Sequence, residues 1–192
     1  WREKNGFIST DLLLGYAGII GHAQGLEIII EAAKSLQDKT HIKFVLVGEG
    51  PVKDQLKALK FKYKLENVFL FDGVGKTEMP EVVASFDLAL IPLRNLELFK
   101  GAIPSKIFEN LAMRKPLILG VDGEARQLFI EKANAGWYFE PENLSQLVAA
   151  IIEADANRDR FETIGTNGRN FVKQYFERTT IAASFNQRLL KL

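Results

Sequence analysis

No cysteine occurs among the 192 residues. Disulfides and thiolate metal sites are therefore excluded, and without an oxidising signature a reducing cytosol is the default compartment. Histidine is scarce as well: His22 and His41 stand far apart and form no ligand cluster. Net charge is almost absent. The 25 basic and 24 acidic residues leave a formal charge of +1, which gives no footprint for bulk nucleic-acid binding. No apolar run reaches the length of a membrane span, and no signal peptide is visible. Low-complexity segments and internal repeats are missing too.

What is present is an ordinary globular composition, 47% hydrophobic and 26% charged. A chain of this length forms one domain with a full core. Apolar runs alternate with amphipathic stretches from start to end. Strands are expected at residues 12–20, 41–47, 68–71, 88–91, 116–120 and 136–139. Helices are expected at 25–36, 52–63, 104–113 and 124–131, with another capped by Thr77 and a helical end at about 143–157, 158–174 and 179–191. The alternation implies an α/β class: a Rossmann-like parallel sheet with helices on both faces, plus C-terminal helices. Ligands of such sheets bind beyond the carboxyl ends of the strands. The loops there are 21–25, 48–51, 72–77, 92–104 and 121–124.

One of these loops leads into the most informative stretch of the chain, Gly101-Ala102-Ile103-Pro104-Ser105-Lys106-Ile107-Phe108-Glu109. Pro104 suits the first turn of a helix, where its missing N–H has no partner to lose. Ser105, Lys106 and Glu109 then fall within one turn and share a face. A helix start offers free N–H groups and partial positive charge, to which Lys106 adds a full one. Glu109 supplies a hydroxyl acceptor one turn deeper. That arrangement suits a ligand with a phosphate at one end and a diol at the other, as in a sugar nucleotide. Ser105 is suited either to capping its helix or to touching phosphate. Gly21 and Gly25 flank the first strand–helix turn, where backbone can approach a phosphate. Gly73-Val74-Gly75-Lys76-Thr77 imitates the end of a P-loop, but Leu70 stands where that motif needs glycine. The lysines at 57, 60, 62 and 64 read as a solvated helix face. Phe44, Phe69, Phe71 and Phe86 read as core.

The segment around Lys106 resembles the donor-binding motif of family-4-type glycosyltransferases of the GT-B fold. Gly15 to Leu26, Phe44 to Pro51, Val68 to Val74 and Phe86 to Leu93 are similar, in order, to successive pieces of that family's C-terminal domain. The resemblance implies one half of a GT-B architecture that binds a nucleotide-diphospho-sugar as donor substrate, with no cofactor and no protein-bound metal. It assigns Gly21, Gln24 and Gly25 to the diphosphate loop, and Gly48 and Val74 to the nucleoside side. Ser105 and Lys106 fall at the diphosphate and Glu109 at the ribose, with Lys106 stabilising the leaving group. The sequence departs from the common pattern at three places. Ile19 and Gln24 stand where an Arg and a Lys are usual, and Gly101 stands where the first of two glutamates is usual. Lys106 therefore carries the weight of diphosphate binding.

The same resemblance implies that an acceptor-binding N-terminal domain precedes Trp1, so that the chain is a cut from a longer protein and inactive alone. Residues 1–11 are then a linker, 12–174 the nucleotide-sugar domain, and 175–192 a helix crossing back to the missing domain. Phe176, Ile181, Phe185 and Leu189 would give that helix its apolar stripe. Expected partners are a nucleotide-sugar and a lipid-linked or saccharide acceptor in bacterial polysaccharide or glycoconjugate synthesis, not nucleic acid. The expected location is cytoplasmic, peripheral at the inner membrane face in the full-length protein. Two other readings stand beside this one: half of a sugar-nucleotide 2-epimerase, or a non-catalytic nucleotide-binding module. A receiver domain is disfavoured because residues 12–21 end in Ile-Ile-Gly rather than in an acidic cluster.

Overall fold

The computed structural model describes residues 1–189; residues 190–192, and the side chains at 183, 184 and 188, lie outside it. Six strands form one parallel sheet in the order β3-β2-β1-β4-β5-β6. They are β1 (Leu12–Ala17), β2 (Ile42–Val47), β3 (Val68–Phe71), β4 (Leu88–Pro92), β5 (Leu117–Gly120) and β6 (Gly136–Tyr138). The helices between them are α1 (Glu27–Ser35), α2 (Lys53–Tyr63), α3 (Met79–Ser85), α4 (Ser105–Ala112) and α5 (Glu124–Arg126). After β6 come α6 (Leu144–Ala156), α7 (Phe161–Phe176) and α8 (Arg178–Leu189). The chain runs outward from β1 to β3, returns to lay β4 beside β1, and then runs outward the other way. The crevice beyond the ends of β1 and β4 is thus the topological switch point, where such sheets bind ligands.

Apolar side chains on both faces of the strands explain the burial. Leu12, Leu14 and Tyr16 of β1 join a core with Ile29 and Ile30 of α1 and Leu147 and Ile151 of α6. Leu13 points the other way, toward Val82, Val83 and Phe86. Gly15 on that face leaves room for the Phe86 ring, which a Cβ would strike. A third cluster joins Ile91, Ile107, Leu119 and Phe129 beneath α4. Phe108 and Phe176 pack there at 5.0 Å between centroids, which ties the end of α7 to α4. Residues 1–11 lie against the domain: Phe7 is buried and the Trp1 ring meets Phe71 at 5.0 Å.

Several expected boundaries are corrected. Strand β1 ends at Ala17, not at residue 20, because Gly18 turns the chain at φ 141°. Helix α1 begins at Glu27, since residues His22–Gln24 form a 3-10 turn closed by left-handed Gly25. Thr77 does not cap α3; Glu78 occupies that position, and its carboxylate accepts from the Gly75 N–H instead. Pro104 sits just outside α4 with extended ψ rather than in its first turn, and Ser105 is the first helical residue. The helix expected over 124–131 is α5 followed by a π-helical stretch, Gln127–Lys132. The expected end of the last helix at 191 lies outside the described residues.

Candidate functional site

Lys106 enters the switch-point crevice from the first turn of α4. Its Nζ donates to the Tyr16 hydroxyl at 2.8 Å and lies 4.3 Å from the centre of that ring. The Tyr16 hydroxyl in turn donates to the Ile19 carbonyl. A strand-end phenol thus ties helix α4 to the loop after β1. Burial pushes the Lys106 amine down to about 8, against the pull of Glu109. Burial also pushes the Tyr16 phenol well above its usual range. Gly18 keeps the amine approachable, since a Cβ there would stand 3.3 Å from Nζ. Asn110, buried one turn on, anchors the helix by donating to the Lys106 carbonyl at 2.7 Å.

The loop after β1 is held from two sides. From β2, Gly18 N–H donates to the Val47 carbonyl and Ile20 N–H to the Glu49 carbonyl, at 2.9 and 2.8 Å. Gly48 lies so close to the Gly18 carbonyl that a Cβ would collide with it. From β4, Arg94 acts as a strut: its Nε donates to the His22 carbonyl at 2.8 Å, and its two terminal nitrogens reach Glu142 and Glu27. Its Cγ stands 3.2 Å from where a Cβ on Gly25 would be. Gly21 and Gly25 are both buried. Gln24 turns its Oε1 inward, 2.8 Å from a Cβ built on Gly21, and that oxygen has no hydrogen-bond partner. Ile19 is 69% exposed at the rim.

The side of β2 and β3 is fixed by a second buried amine. Lys53 Nζ lies 2.8 Å from Glu49 and 2.6 Å from Asp72, which joins the start of α2 to the ends of both strands. Burial alone would push this amine down, yet its hydrogen bonds to Asp72 and Glu49 hold it above its usual value. Its hydrogen bonds hold both carboxyls below the usual carboxylate range. Glu49 also accepts from the Gly73 N–H at 3.0 Å, so the loop carrying Val74 is set by the loop carrying Gly48. Val74 itself packs partly buried against the Phe86 cluster.

The structure therefore gathers Gly21, Gln24, Gly25, Gly48, Val74, Ser105, Lys106 and Glu109 along the carboxyl edge of the sheet. Ser105 and Glu109 are exposed there, and Ser105 makes no capping bond, so of its two suited roles capping falls away. Sequence reasoning missed Tyr16, Arg94 and Lys53. A phenol closing an apolar strand and a guanidinium just past Pro92-Leu93 are signals that a polar partner is needed. The partner's identity, however, lies 90 residues away for Tyr16 and 72 for Arg94. Among the described residues no group of three or more histidine, aspartate or glutamate side chains could hold a metal ion.

Sheet order and crevice together define a doubly wound α/β domain whose switch point carries Lys106 beside the start of α4. The chain belongs to the family described as Glycosyl transferases group 1, whose sequence model matches residues 1–171. It is 30% identical over 141 residues to WcaI of Escherichia coli strain K12, named for colanic acid biosynthesis glycosyl transfer. That match covers 72% of this chain and 34% of WcaI. The fold is that of the GT-B C-terminal half. The C-terminal domain of the Francisella tularensis group 1 glycosyl transferase LpcC superimposes with a TM-score of 0.74 at 20% identity, over 93% of this chain and 91% of that one. Anabaena HepE, solved in complex with UDP and glucose, gives 0.82 at 20% identity, over 100% of this chain but 51% of its own. The chain spans less than half the length of the curated relatives it matches. No described helix is long and apolar enough to cross a membrane.

Proposed function

We propose that this chain is the donor-binding domain of a glycosyltransferase that uses a nucleotide-diphospho-sugar. The observation that carries the proposal is Lys106, buried against Tyr16 at the switch point yet left accessible by Gly18. Its ammonium faces the diphosphate. As the bond from the sugar to the diphosphate breaks, negative charge grows on the leaving oxygen, and a fixed cation in a shielded crevice stabilises that charge more than it stabilises the ground state. The N–H groups at the start of α4, with Ser105, assist. Gly21, Gln24 and Gly25 lay their loop along the diphosphate, with an amide replacing a second cation. Glu109 accepts from the ribose hydroxyls, and Gly48 and Val74 border the base. The crystallographic relative holding UDP and glucose supports a uridine donor.

The acceptor half belongs to a domain preceding Trp1, with residues 1–11 as linker and 12–174 as donor domain. Of the expected crossing segment, Tyr175 and Phe176 instead end α7, with Phe176 packed on Phe108, so α8 is the part that returns to that half, through the exposed side chains of Ile181, Phe185 and Leu189. The acceptor is a lipid-linked or saccharide chain of bacterial polysaccharide synthesis, the process for which WcaI is named. The full-length enzyme works in the cytoplasm at the inner membrane face, and the isolated chain binds without transferring. Calorimetric titration with UDP, GDP and ADP tests the reading. One nucleotide, expected to be UDP, should bind preferentially, and both Lys106→Ala and Glu109→Ala should weaken it at least tenfold. Binding of all three alike, or binding indifferent to both substitutions, would overturn it.

A further inference from the structure

Half of the chain's sixteen lysines fall within residues 34–64, a stretch that holds no arginine, and one of the eight, Lys53, is the buried amine already described. Helix α2 carries the densest part. Its buried side is Lys53 and Leu56. Its outer side presents Phe61, whose ring is 85% exposed, more than any other large apolar side chain described. Lys57 stands one turn before Phe61 on the same face, and Lys62 and Lys64 follow it. All three lysines are exposed. The acidic residues of this stretch are Asp38, Glu49 and Asp54, with Glu66 just beyond it; Asp54 pairs with Lys57 at 3.3 Å and Glu49 with the buried Lys53, and the lysines outnumber them. Beside the end of α2, Lys64 and Lys43 open onto a depression of about 340 Å³ with Thr40, Gln37, Glu66 and Asn67. Asn67 is 5% exposed, and its Oδ1 has no hydrogen-bond partner.

We propose that the outer face of α2, with Phe61 as anchor and Lys57, Lys62, Lys64 and Lys43 around it, docks on an anionic lipid bilayer. Two features choose this occupant. The cations are all lysines, compact point charges suited to a diffuse anionic surface, whereas ordered phosphate or carboxylate groups are met by the planar fork of arginine. The protruding phenyl ring has no apolar neighbour to cover it. An acyl boundary accepts such a ring, while a duplex or an acidic peptide offers it no comparable burial. The depression between Lys43 and Lys64 can admit a headgroup. Lys43, Glu66 and Asn67 lie at the amino ends of β2 and β3, so a docked domain keeps its crevice, at the opposite sheet edge, open to donor. This surface deepens the membrane placement proposed above without depending on the donor.

Co-sedimentation with vesicles of phosphatidylcholine, with and without phosphatidylglycerol, tests it on the chain itself. Binding should require phosphatidylglycerol and fall on adding salt. Lys57→Gln with Lys64→Gln should weaken it about thirty-fold, and Phe61→Ser about tenfold, with UDP affinity unchanged in all. Failure to bind phosphatidylglycerol vesicles, equal binding to phosphatidylcholine alone, or variants that bind like the parent would overturn the proposal. So would capture of an acidic polypeptide or nucleic acid in place of the anionic vesicles. Loss of UDP binding with vesicle binding intact would instead count against the donor reading and leave this surface standing.

Discussion

Lys106 is costly where it sits. Its amine is largely shielded from water, its nearest partner is a neutral phenol, and its affinity for a proton has fallen to about 8 as a result. A depressed amine destabilises the fold at neutral pH. Between about 8 and the ordinary lysine value the unfolded chain holds more protons on this group than the folded one, so stability rises with pH across that window. Replacement by an apolar side chain of similar length removes the penalty. Lys106→Met should raise the unfolding free energy at pH 7 by on the order of 1 kcal/mol, after discounting for partial solvent access. It should also abolish the rise between pH 8 and 10. Urea denaturation at pH 7 and pH 9.5 measures both. A variant less stable than the parent would show the lysine to be a structural tie instead. The same depression predicts that nucleotide affinity declines above pH 8, because a diphosphate needs the charged amine.

Among the elements, the loops after β1 and β2 act as one piece. They meet backbone to backbone at Gly18 and Gly48, and Lys53 ties that piece to the loop after β3. Gly48→Ala should part them and cost about 1–3 kcal/mol of stability with a loss of nucleotide affinity. Gly101→Ala, where a Cβ meets nothing within 4 Å, should change neither; thermal melts and UDP titration compare the pair. The strands were legible beforehand because long apolar runs between turn residues have few alternatives: β3 matches residue for residue, and β2 and β5 within one. The ends of elements were less so. A single glycine at φ 141° cuts β1 short by three residues, and Glu78, with no side-chain capping bond, stands at the start of α3 in place of Thr77. For the candidate site, local spacing was enough to propose Lys106, Glu109, Gly21 and Gly25, while Gly48 came from the family resemblance. Tyr16 and Arg94 were not, because their meaning lies in contacts to segments 90 and 72 residues away.

The molecule as a whole is a doubly wound domain that spans less than half of its curated relatives. The two surfaces proposed to work are apart. The carboxyl edge of the sheet carries the crevice, with exposed Ile19, Leu96 and Leu98 on the loops bordering it. The lysine-rich flank of α2 lies at the outer β2–β3 edge, and α8 leaves Ile181, Phe185 and Leu189 uncovered. A domain of this form can hold a donor on one side while other surfaces are engaged. The central claim is that Lys106 receives the phosphates and Glu109 the ribose. Its most direct test compares binding of UDP and uridine by calorimetry in the parent chain, Lys106→Ala and Glu109→Ala. The account predicts that the parent prefers UDP strongly. Lys106→Ala should lose that preference while still binding uridine, and Glu109→Ala should weaken both ligands alike. An undiminished preference for UDP in Lys106→Ala would contradict it.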